Sequence, residues 1–313
     1  MFVESYQRDK SLLPRTLAFY QFTRDFTTVN DYYWGTGSSI QAVAGRVRHM
    51  NSNDDFHALL GLTQRIYAKP LGHTPARYAA KLNVSKRWHR LLTLVIMTSA
   101  FERYLTAVAT IAIASDPVLT RGFPKKIDGL ILAKHRLQTG ERSTEPLTKG
   151  EWSSRLATFR RYFGMVPPVL SSNESTLETM RNKRNQVAHS FGLDTSSMPV
   201  HAAILLGARR ATVPNFDSIS VSEETITKWF GVIDASAAAI DDYLLPNFIG
   251  GYELAAISIE WIQDRDALYE ATGVRRYGKG SEARKLSKFL GELLDYPIQH
   301  ETTQSIMDYV NPL

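Results

Sequence analysis

The sequence predicts an all-α protein. Three observations predict it. Nearly every segment with a clear apolar pattern repeats at three and four residues, the spacing of one helix face. Most such segments open near Ser, Asn or Asp and stop at Gly or Pro, as capped helices do. Only residues 202–206 read as a strand, and no second run of that kind exists to pair with it. No repeat at a fixed period and no sustained heptad is present.

In chain order, residues 15–29 form an amphipathic pattern marked by Leu17, Phe19, Tyr20, Phe22 and Phe26. Gly35, Thr36, Gly37, Ser38 and Ser39 break it, and Ser38 or Ser39 can cap a second helix over 40–50. Asn51 to Asp54 open a third helix through Tyr67, before a loop marked by Pro70, Gly72 and Pro75. Residues 1–75 therefore read as an N-terminal helical arm or subdomain. Residues 76–250 read as a helical bundle, and 251–313 as a helical extension with a basic turn.

Within the bundle, residues 85–114 form a long helix with a basic start (Lys86, Arg87, His89, Arg90) and an apolar body, ended by Ser115, Asp116 and Pro117. The body passes a first test for a membrane span. Glu102 and Arg103 sit at its centre, however, where each charge would cost roughly 2.5–3.5 kcal/mol on insertion. A buried helix of a soluble bundle, with no membrane partner, is the expectation. A short helix follows over 125–137, then a polar loop over 139–150. Residues 151–163 place Trp152, Leu156, Phe159 and Phe163 on one side, and Gly164 stops them. Pro167 and Pro168 begin a connector ending near Asn173.

Ser175 and Glu178 match a capping box opening a helix over 175–190, with Gly192 as its terminator. Residues 193–221 are loop-like. Ser222 caps a helix to about Leu245, punctuated by Pro246, Gly250 and Gly251. Helical patterns then cover 253–271, 281–294 and 302–310.

With 313 residues the chain has room for two average domains or one large core with additions. The formal charge of +6 suits an anionic partner. The absence of cysteine excludes disulfides, zinc–thiolate sites, iron–sulfur clusters and thiol nucleophiles, and fits a cytoplasmic location. The first fourteen residues lack the pattern of a secretory signal.

Arg184, Asn185 and His189 are the residues that can carry chemistry. Asn185 and His189 share a helix face, and Arg184 lies one step round with a side chain long enough to reach them. A guanidinium holds phosphate oxygens, an imidazole moves protons near neutral pH, and an amide can orient either. His189 falls in the last turn, where the carbonyl end of the helix favours a cationic ring. The same residues are also what a plain solvated helix end looks like.

Arg184, Asn185 and His189 resemble the signature of the HEPN superfamily, an arginine followed after four to six residues by a histidine, with a polar residue next to the arginine. The setting is similar as well: an apolar helix carrying Glu102, an aromatic helix ending at Gly164, and a long helix at 222–245. The resemblance covers roughly 85–245. It implies a helical bundle that dimerises so that two motif helices face each other. It further implies a metal-independent endoribonuclease that uses the RNA 2′-hydroxyl and leaves a cyclic phosphate and a 5′-hydroxyl. Members of this kind often serve as toxins or in anti-phage defence, with an antitoxin or defence complex as partner. Under it His189 is the general acid–base, Arg184 holds the scissile phosphate and Asn185 positions them. Glu102 becomes a supporting acid that pairs with Arg184, or simply a central acid paired with another base. Arg181 and Lys183 become charges that steer RNA, or plain surface. Some members bind without cutting, which leaves a catalytically silent binding or regulatory protein as the alternative.

Arg275, Arg276 and Lys279 form a basic turn with Tyr277 among them. Such a turn can hold RNA backbone and stack a base, or serve as a solvated helix entry capped by Ser281. Gly273, Gly278 and Lys279 match the P-loop spacing, but Gly280 stands where a magnesium-binding hydroxyl belongs and no strand precedes them. The remaining histidines lack metal-helix spacing, so neither a metal nor a cofactor is expected.

Overall fold

The computed structural model describes residues 11, 13–51, 74–122, 127–137, 143–190, 219–277, 280–294 and 297–310. Among them lie twelve α-helices and no strand, so the protein is all-α. In chain order they are α1 (Leu17–Arg48), α2 (Pro75–Ser115), α3 (Gly129–Lys134), α4 (Glu145–Thr148), α5 (Trp152–Phe163) and α6 (Pro168–Ser172). Then follow α7 (Glu174–Ser190), α8 (Glu223–Leu244), α9 (Tyr252–Gln263), α10 (Arg265–Thr272), α11 (Glu282–Leu294) and α12 (His300–Val310). Apart from Asn51, the expected helix through Tyr67 lies outside the described residues, as do the run at 202–206 and Gly192.

Several boundaries differ from expectation, each for a physical reason. The break expected at 35–39 does not occur, and α1 runs straight through it. Ser38 and Ser39 donate their hydroxyls back to the Gly35 carbonyl, at 3.0 and 2.9 Å, instead of capping a new helix. Two glycines cost this helix about 1 kcal/mol each relative to alanine. Burial of Val29, Tyr33 and Val47 on either side offsets that cost. The long helix starts ten residues early because Pro75 opens it rather than ending a loop. Proline fits the first helical position, and Thr74 Oγ1 accepts from the Arg77 amide at 3.3 Å. The 253–271 pattern is two helices, because the Asp264 carboxylate caps a new one at Ala267. The connector after Pro167 holds the single turn α6. Beyond α8 the chain passes Pro246 through one π turn, Leu245–Ile249, before Gly250 turns it.

The chain packs as two compact units that interleave along the sequence, where the sequence reading divided it consecutively at 75 and 250. One unit takes the chain up to Phe22, then Glu102–Ser172, then Ala235 onward. The other takes Thr23–Phe101 and Asn173–Asp234. Helices α1, α2 and α8 each belong partly to both.

In the first unit, Tyr104, Leu105, Val108, Ala112 and Ile113 of α2 are buried. The Tyr104 hydroxyl donates to the Ala237 carbonyl at 3.0 Å, and Ser115 donates to that of Phe248 at 2.6 Å. Gly129 at the start of α3 lies so close to the Ala114 carbonyl that a Cβ there would overlap it. Helices α9 to α12 share a core built on Leu254, Ile259, Trp261, Tyr269, Phe289 and Ile306. Tyr269 meets Phe289 edge-on at 5.3 Å.

The second unit is built on Leu91, Leu94 and Met97 of α2, Ile226 and Ile233 of α8, and Leu177, Met180 and Val187 of α7, all buried. Each such side chain contributes roughly 1.5–3 kcal/mol over leaving it in water. By length and composition α2 could cross a membrane, yet 56% of its most apolar stretch is buried inside the protein. A core helix has that character.

The first amides of α1 are held from far along the chain. Asp241 accepts from the Thr16 amide at 3.3 Å and from its hydroxyl, and Glu253 accepts from the Leu17 amide at 3.1 Å. Arg15 reaches Asp241 at 3.6 Å and pairs with Asp242. A helix N-terminus welcomes negative charge, but two buried carboxyls side by side resist carrying it together. Burial pushes Glu253 up to about 8, with Asp241 adding to the rise. Burial also raises Asp241, against the pull of Thr16 and Arg15.

The folded chain holds the Glu253 proton more tightly than the unfolded chain, whose carboxyl titrates near 4.5. This stabilisation is complete below that value and is lost as pH rises through about 8. Urea unfolding from roughly pH 5 to 9 should show stability falling by up to about 1.4 kcal/mol per pH unit within the window. Glu253→Gln keeps an acceptor for Leu17 without a titrating proton and should flatten the slope. An unchanged slope in that variant would assign the effect elsewhere.

Candidate functional site

Helix α7 opens one residue before the expected capping box, straight out of the turn at Asn173, whose carbonyl accepts from Leu177 at 2.9 Å. Glu178 serves its own neighbours: Arg181 donates to it at 2.5 and 3.0 Å, and Asn182 at 3.2 Å. The Arg181 charge, expected to steer RNA, is thus countered within its own helix, and the residue is half-buried.

The buried stripe of α7 is Leu177, Met180 and Val187. Arg184 falls on that stripe, four residues after Met180 and three before Val187. This register explains why its guanidinium is half-buried on the packed side of the helix. Asn185 is also half-buried, and His189 is exposed in the last turn. Lys183 is half-buried.

Arg184 Nη1 donates to Asn185 Oδ1 at 3.1 Å. A guanidinium can only donate, so the amide must face it with its oxygen, and the amide N–H groups stay available as donors. Arg184 and His189 are separated by roughly 140° around the helix, while Asn185 and His189 are only about 40° apart. Asn185 therefore bridges the angle: it contacts the arginine directly and lies one turn below the histidine on the same side. The arrangement presents a charged fork, an oriented amide and an exposed imidazole along one helix.

Glu102 was expected either to support Arg184 or to pair with another base. The partner seen is Arg155 of α5, whose Nη2 lies 3.2 Å from Glu102 Oε1. The Arg155 side chain is only 4% exposed, and is also held by the Gly150 carbonyl at 3.0 Å and by the Trp152 ring at 4.9 Å. Glu102 thus balances a buried charge that the sequence reading did not single out.

The basic turn carries acids from outside its own window. Arg275 lies 3.4 Å from Glu292, and Arg276 lies 3.2 Å from Asp266. Tyr277 donates to Glu292 beneath the guanidinium of Arg275, which lies 5.3 Å from the ring. Both arginines are exposed. Lys279 lies outside the described residues.

One site escaped the sequence reading altogether. In the second unit a cleft of about 340 Å³ is lined by Tyr33, Trp34, Gln41, Lys86, His89, Arg90 and Glu223. Treating 35–39 as a break hid it. Read as one helix, Trp34, Gly37, Ser38 and Gln41 fall at i, i+3, i+4 and i+7, and Lys86, His89 and Arg90 at i, i+3 and i+4. Among the described residues no group of three or more His, Asp or Glu side chains could hold a metal ion.

Compared with protein-family models, with curated proteins and with solved structures, the chain finds no match. Roles must therefore be tested residue by residue. Glu102→Ala should lower stability by about 2 kcal/mol in urea unfolding, since it strips a counter-charge from a buried arginine while leaving some solvent access. A loss under about 0.5 kcal/mol, the scale of an ordinary surface change, would show that the Glu102–Arg155 pair is not structural.

Proposed function

We propose that this chain is a metal-independent endoribonuclease of HEPN type that cleaves RNA by 2′-hydroxyl attack. The observation that carries the reading is the Arg184–Asn185 hydrogen bond, with His189 exposed one turn further along α7. An arginine anchored on the packed side of a helix loses little freedom when it clamps a phosphate. An exposed imidazole can reach a ribose hydroxyl or a leaving oxygen. In this reading Arg184 stabilises the charge that develops on the phosphate, Asn185 orients it, and His189 moves the proton. The working unit is a dimer in which two α7 helices supply one site. A toxin or anti-phage role, restrained by a partner, fits an enzyme that cuts cellular RNA.

A second reading, a binding or regulatory protein that does not cut, is favoured by the formed cleft at Trp34 and His89. Cleavage of single-stranded RNA in EDTA separates the two. The parent should cleave, and Arg184→Ala and His189→Ala should each reduce the rate by about a hundredfold or more. Full activity in both variants, or abolition of parent activity by EDTA, would contradict the mechanism.

A further inference from the structure

The cleft between α1, α2 and the first turn of α8 has the parts of a built site, all within the second unit. Its volume of about 340 Å³ is at the small end of ligand pockets, enough for one nucleotide-sized molecule. Trp34 supplies a platform. Its indole is 46% exposed, yet its N–H is anchored on Asn30 Oδ1 at 3.1 Å, and Tyr33 braces it edge-on at 5.0 Å. An exposed aromatic held in place is what base stacking needs.

His89 is 7% exposed and stacks on Tyr33 at 5.1 Å with the rings nearly parallel. Its Nε2 meets the Tyr33 carbonyl at 3.0 Å, and a carbonyl only accepts, so Nε2 carries the hydrogen. That leaves Nδ1 as the acceptor of the neutral ring. Nδ1 is buried and has no hydrogen-bond partner among the described residues, and the same is true of Arg90 Nε. Neither atom reaches the cleft surface, but Arg90 as a whole is only half-buried and lines the cleft, so its side chain offers an anion a partner there. Lys86 adds a second cation at the wall, where it donates to Gln41 at 3.3 Å. Glu223 adds an acceptor for a hydroxyl or an amine.

We infer that this cleft binds a nucleotide. The base stacks on Trp34, an amine or hydroxyl of the ligand donates to Glu223, and the phosphate meets Arg90 and Lys86. Free nucleoside monophosphate and a nucleotide within an RNA strand share this chemistry. The site is separate from α7 and stands whether or not the chain cleaves RNA.

Calorimetric titration of the full chain with AMP, adenosine, inorganic phosphate and a short single-stranded oligonucleotide tests it. AMP should bind, and adenosine and phosphate should each bind at least about tenfold more weakly. Trp34→Ala should weaken AMP by about tenfold or more, with Trp34→Phe restoring most of the affinity. Lys86→Ala should narrow the gap between AMP and adenosine. Oligonucleotide binding that AMP displaces would identify an RNA strand as the source, and AMP binding alone would identify a free nucleotide. No binding of AMP or oligonucleotide overturns the inference. So does binding that is unaltered in folded Trp34→Ala and Lys86→Ala.

Discussion

Helix α2 has to be covered along most of its length. It runs 41 residues, and apart from an exposed stripe through Leu92, Ile96, Ser99, Arg103, Thr106 and Thr110 its apolar side chains must be buried. Its earlier part, with Leu91, Leu94 and Met97, sets the core of one unit, and its later part, from Tyr104 to Ile113, sets that of the other. The neighbouring helices are placed by what they must bury. Two polar side chains inside the first unit show how such groups are held. Arg155 is met by Glu102 and Gly150, and Tyr104 by the Ala237 carbonyl.

The same need to bury shapes α7. Leu177, Met180 and Val187 fix its packed side, and a helix with that stripe must carry residue 184 inward as well. Placing an arginine there costs desolvation that an alanine would not incur. The gain is geometric: the guanidinium is held against Asn185, while His189 stays free to meet solvent or substrate at the helix end. The proposed division of labour, a fixed charge and a mobile proton carrier, follows from this single register.

The fold class was legible in the sequence because helical spacing and caps agree, as at Ser222 with Thr225 and at Trp152–Phe163 with Gly164. Where prediction failed, a local signal lost to tertiary packing. Gly35 and Gly37 look like a break, but burial on both sides keeps α1 whole. Pro75 looks like a loop, but proline is equally suited to begin a helix. The candidate trio on α7 could be named from spacing alone. The anchoring acids could not, because Asp241 and Glu253 sit more than two hundred residues from the amides they hold. Glu292 and Asp266 likewise lie outside the basic turn whose arginines they meet. Sequence windows see composition, whereas charge balance is settled by neighbours in space.

The central claim is that Arg184, Asn185 and His189 form a ribonuclease site working without metal. The most direct measurement is mass spectrometry of the ends left on a defined single-stranded RNA after incubation with the purified chain in EDTA. The account predicts 2′,3′-cyclic phosphate and 5′-hydroxyl ends, absent when His189→Ala replaces the parent. Products ending in 3′-hydroxyl and 5′-phosphate, or the same products from the His189 variant at the parent's rate, would contradict it.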